Sequence, residues 1–156
     1  MGERLGGFIY GTIVALAVVV AGARAYPHDP GHIAAVVGVT SAVFWLAHVY
    51  ADALAHSVAS DEHLSLGELG LIARREASII EATLFPIIAL LLGTLGVVSD
   101  AASIWIAFVV GLVVLAGQGF AFARVERLGW LGTLVVVALN LGLGAVLVGL
   151  KIAVSH

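Results

Sequence analysis

His48, Asp52 and His56 recur at every fourth residue within the run from Trp45 to His56, so on a helix they form a slowly drifting stripe along one face. The next apolar segment supplies Arg74, Arg75, Glu76 and Glu81. Imidazoles and carboxylates one turn apart converge, and they suit either a divalent metal or the relay of protons. A metal site would draw on His48, Asp52, His56 and Glu81; a proton or cation pathway would draw on His48, Asp52, Glu76, Glu81 and Gln118. Glu81 follows Arg74 by seven residues on the same helix face, so a structural ion pair between them is the competing reading. His56 also reads as the polar end of a helix reaching lipid headgroups.

These groups stand in segments that read as membrane-spanning. The chain has 156 residues, 62% hydrophobic and only 11% charged, with a mean hydropathy of +1.14; a soluble domain would carry about 25% charged residues. In lipid, titratable side chains are costly and face a bundle interior, a partner or water. The net charge of −3 includes no basic patch and excludes a nucleic-acid partner. Without cysteine there is no disulfide, thiolate metal site or covalent c-type haem attachment. A divalent metal would have to use His, Asp and Glu, and a bis-His haem b could use His48 with His32 or His56.

The pattern predicts an all-α, polytopic membrane protein forming one transmembrane domain over 1–156, with spans at about 8–24, 33–58, 77–98, 102–123 and 128–153. The first segment reads as a retained span, with Ala21-Gly22-Ala23 leaving a cleaved signal as the alternative. At about 1.5 Å per residue the second is about 39 Å long, more than a hydrocarbon core needs, so it must tilt or protrude. Ser65-Leu66-Gly67-Glu68 fits a capping box, and the amphipathic stretch that follows reads as an interfacial segment before the third span, or as its continuous extension. Pro86 predicts a kink one turn beyond Glu81. Two small-residue stripes, Gly7/Gly11/Ala15 and Gly142/Ala145/Gly149, offer close-packing faces, and Asn140 suggests an interhelical hydrogen bond.

Lys and Arg concentrate on cytoplasmic loops. Arg4, Arg74, Arg75, Arg124 and Arg127 fall on the N-terminal side of a five-span arrangement, against Arg24 and Lys151 on the other. The expected topology is a cytoplasmic N-terminus and an external C-terminus.

The run Val43-Phe44-Trp45-Leu46-Ala47-His48-Val49-Tyr50-Ala51-Asp52, followed by Arg75-Glu76-Ala77-Ser78-Ile79-Ile80-Glu81-Ala82, resembles small integral membrane proteins of actinobacteria. The resemblance implies a plasma-membrane address and no particular activity. Three functions stay open on the residues alone. One is a homo-oligomeric channel or transporter-like protein for protons or cations; the others are a metal-dependent membrane enzyme and an accessory subunit of a larger membrane complex. Membrane lipid is the partner common to all three.

Overall fold

The computed structural model describes the backbone of residues 2–60 and 65–154 and the side chains of 6–58 and 65–146. The described residues form α1 (Gly2–Ala25), α2 (Pro30–Ser60), α3 (Leu66–Glu76), α4 (Ser78–Thr94), α5 (Asp100–Val125) and α6 (Trp130–Val154), with no strand among them. α1, α2 and α5 are each long and apolar enough to cross a membrane, and the bent pair α3 and α4 makes a fourth candidate. In α6 the stretch Trp130–Val146 is apolar but shorter.

Local chemistry sets the helix boundaries. α2 begins earlier than the apolar run suggests because Pro30 occupies the first helical position, where its missing N–H costs nothing. Asp29 Oδ1 accepts from the His32 N–H at 2.8 Å and caps that end. α3 starts in the expected capping box: Ser65 Oγ accepts from the Glu68 N–H at 3.3 Å, and Glu68 Oε2 accepts from the Ser65 N–H at 2.8 Å.

The break ahead of the third apolar segment falls at Ala77, where α3 and α4 meet at a bend of about 40°. α4 is one helix through the buried Pro86, so the break in the helix precedes Glu81. A side chain from α2 reaches the backbone one turn before the break. The Trp45 Nε1–H donates to the Ala73 carbonyl at 3.0 Å, the acceptor that a continuous helix would offer to the Ala77 N–H. Insertion of a side chain into the helical ladder bends a helix without proline or glycine.

α1 is the central element, touching α2, α4, α5 and α6. Leu16 and Val19 of α1 are completely buried together with Ile33 and Val37 of α2, Leu90 of α4 and Leu115 of α5. Close approach depends on missing side chains. A Cβ at Gly11 would lie 2.6 Å from the Ile79 carbonyl oxygen and 2.9 Å from its Cα, so α1 crosses the backbone of α4 there. A Cβ at Gly7 would stand 2.6 Å from Ser78 Oγ, and Ala15 is fully buried one turn beyond Gly11. At the other end of the chain the close contact is at Gly144, where a Cβ would meet Leu112 at 2.6 Å and Leu115 at 2.9 Å. Gly142 faces open space and Ala145 is exposed, so these two meet no neighbouring helix among the described residues; Gly149 lies outside the described side chains.

Candidate functional site

The stripe on α2 becomes three successive rungs, each facing a different partner. Because one helical turn rises about 5.4 Å, His48, Asp52 and His56 lie about 6 Å apart along the axis. The extra length of α2 carries the last two rungs beyond the bundle, where α3 lies against them.

At the inner rung, half-buried His48 stands beside Tyr10 of α1, with ring centroids 5.2 Å apart. His48 Nδ1 is 2.9 Å from the Phe44 carbonyl oxygen. A carbonyl only accepts, so Nδ1 carries the hydrogen and Nε2 is the nitrogen left to take up a proton.

At the middle rung, Arg75 Nη2 of α3 donates to Asp52 Oδ2. Its Nε stands 3.4 Å from Glu76 Oε1. One guanidinium therefore lies between two carboxylates from two helices. The side chains of Arg75 and Asp52 are 39% and 40% exposed and that of Glu76 only 15%, so the group is open on the Asp52 side and faces the protein interior on the other.

At the outer rung, His56 Nε2 lies 4.0 Å from Glu68 Oε1. The backbone N–H of Ser65, and then its hydroxyl, hold the Glu68 carboxyl below its ordinary pKa; the charge of His56 acts in the same direction, and partial desolvation opposes them. The cap of α3 thus presents a carboxylate to the end of the stripe.

Two open cavities meet at Arg75. One, of about 240 Å³, is lined by His56, Glu68, Leu71, Ile72 and Arg75. The other, of about 460 Å³, is lined by Leu71, Arg74, Arg75, Ala77 and Glu81.

The expected groupings are partly rearranged. Among the described residues no three His, Asp or Glu side chains converge to hold a metal ion. His48, Asp52 and His56 point successively at α1, α3 and the α3 cap, and Glu81 lies on α4 at the far side of Arg75. Arg74 is exposed and forms no ion pair among the described residues; its neighbour Arg75 takes that role because it faces α2. Gln118 is buried away from the rungs, where its Nε2 donates to Thr12 Oγ1 at 3.4 Å across the α1–α5 contact. Asn140 is also buried, against Gly119 of α5, and its Nδ2 has no hydrogen-bond partner among the described residues.

Four participants escaped the sequence reading: Arg75 as the centre, Glu68 as the outer carboxylate, Tyr10 beside His48, and Trp45 as the anchor of α3. The amphipathic pattern of α3 carried a signal for the first two, since Glu68 and Arg75 are seven apart and share a face. Tyr10 and Trp45 left none, because an aromatic residue in an apolar run reads as bulk. Comparison of the chain with protein-family models, with curated proteins and with solved structures returned no match.

Proposed function

We propose that this chain is a small oligomeric channel or transporter-like membrane protein that moves protons or cations through the rungs of α2. In this reading α1, α2, α4, α5 and α6 make five passes across the plasma membrane, with α3 in the interface and the N-terminus cytoplasmic. Protons enter at His56 and Glu68, where side chains are about half exposed. They pass to the Asp52–Arg75–Glu76 group and then to Nε2 of His48. Arg75 keeps two carboxylates together near apolar surroundings, a placement that is costly without a cation. Protonation of either carboxylate frees the guanidinium to pair with the other, which gives the group two states differing by one proton. Five helices around a packed centre enclose no wide pore, so the path beyond His48 and Tyr10 is completed between subunits.

The observation that carries the reading is the sharing of Arg75 between Asp52 and Glu76, midway between a deeper imidazole and an outer one. Liposomes containing the purified chain and a pH-sensitive dye test it. An imposed potential should drive dye-reported proton entry or a compensating cation flux, and His48→Ala should reduce it at least severalfold while the helical content is unchanged. Vesicles no leakier than protein-free ones under every gradient would reject transport.

A further inference from the structure

A second feature of α2 lies away from the rungs. α1 and α2 touch near one end at Gly22 and Ile33, where a Cβ on the glycine would meet Ile33 Cγ2 at 2.9 Å. They meet again where Tyr10 packs on Phe44 and His48, with centroids at 5.9 and 5.2 Å. Between these contacts an open groove of about 530 Å³ runs from Val14 to Tyr26. Its α1 wall is built of Ala17, Val18 and Ala21, and its α2 wall of Val36, Thr40 and Phe44. Small residues on α1 make the space, and Thr40 is the single hydroxyl among these six.

The groove has an apolar end and a polar end. From Val14 to Ala25 the helix rises about 17 Å, close to one leaflet of a hydrocarbon core about 30 Å thick. Phe44 lies toward the inner end. At the outer end Tyr26 stacks on His32 with centroids 4.0 Å apart, and the exposed Arg24 directly precedes the lining residues Ala25 and Tyr26 at the last turn of α1. Arg24 forms no ion pair among the described residues, and the nearby Asp29 has an oxygen committed to the cap of α2. An apolar slot one leaflet long, with the exposed Arg24 at the same end of α1, is complementary to a lipid with one negative charge.

We infer that the groove between α1 and α2 binds one acyl chain of an anionic phospholipid, whose phosphate is held by Arg24 at the Tyr26–His32 end. The site is separate from the rungs of α2 and does not depend on transport. A second copy of this chain would be the other way to fill an apolar groove, and the test below separates the two occupants.

Native mass spectrometry of the full chain in detergent, titrated with phosphatidylglycerol or with phosphatidylcholine of the same acyl chains, tests the assignment. One basic residue near a headgroup corresponds to about a fivefold preference for the anionic lipid. Arg24→Gln should abolish that preference and leave phosphatidylcholine binding unchanged. Ala21→Phe and Val36→Trp, which fill the groove from opposite walls, should each weaken binding of both lipids without loss of helical circular dichroism. Equal binding of the two lipids by the parent would overturn the headgroup assignment. Unchanged lipid binding by either folded groove variant would overturn the groove, and a shift of subunit number in those variants with lipid binding intact would give the slot to a second copy.

Discussion

The crossing of α1 over α4 and the docking of α3 on α2 are both helix contacts, yet they are held together by opposite means. At Gly11 and Ile79 the contact forms because a side chain is missing, and backbone meets backbone. At Trp45, Asp52 and His56 it forms because long polar side chains reach across a gap, and every one of them remains partly accessible. In lipid, where apolar burial gives little drive to helix association, close van der Waals packing supplies stability and polar contacts are the adjustable part. The α1–α4 contact should therefore tolerate almost no change, and the α2–α3 contact should tolerate change while function does not.

The strongest way to break the first contact is Gly11→Leu. The new side chain would have to pass the Ile79 carbonyl and Ala82, and backbone cannot yield as a side chain can. A loss of about 3 kcal/mol or more is expected, at the upper end of overpacking costs, seen as failure to purify a monodisperse species or as a large drop in melting temperature. Gly142→Leu is the matched control. Its site is open within the chain, so the fold should stay within about 0.5 kcal/mol of the parent, and a change in subunit number would place that face between subunits.

Next in size is Trp45→Phe, which keeps an aromatic ring at the site and removes the indole N–H with part of the ring system. Loss of the bond to the Ala73 carbonyl should cost about 1 kcal/mol. It should also let α3 and α4 straighten at Ala77, which spin labels on Leu69 and Ile88 would report as a longer separation. An unchanged distance would mean that the bend has another cause.

The smallest effect belongs to the α3 cap. Because the folded state lowers the pKa of Glu68, the stabilisation it supplies is fully present above the ordinary carboxylate pKa and is lost as pH falls through the lowered value. Amide protection in the first turn of α3, corrected for intrinsic exchange, should fall with that acid titration in the parent. In Glu68→Gln it should be nearly independent of pH.

The same contrast explains what was legible in the sequence. Hydropathy and length gave the helices, and Ser65 with Glu68 marked the start of α3, because these signals are local. The periodicity of His48, Asp52 and His56 correctly placed them along one helix, but periodicity on one helix says nothing about its partners. Thus Arg74 and Arg75, adjacent in sequence, could not be told apart until α3 was seen against α2. A spacing of seven suggested Arg74 with Glu81, but the helix breaks at Ala77 between them and changes which faces align. Residue type puts Gln118 among the pathway candidates but leaves rotation about its helix axis open; its amide points instead at Thr12. Gly142 and Gly144 illustrate the same limit, since small residues are abundant in α6 and only the facing Leu112 and Leu115 select one of them.

Asp52→Asn tests the central claim most directly, with proton flux in liposomes and thermal stability in detergent measured on the same preparation. The substitution keeps the shape of the side chain and one acceptor for Arg75, and Glu76 still stands beside the guanidinium. A pair this exposed contributes only about 0–1 kcal/mol. The account predicts a melting temperature close to the parent and a flux reduced at least tenfold, because an amide cannot take up and release the proton. Parental flux from a stably folded Asp52→Asn protein would contradict it and leave the Asp52–Arg75 contact as no more than the clasp that holds α3 on α2.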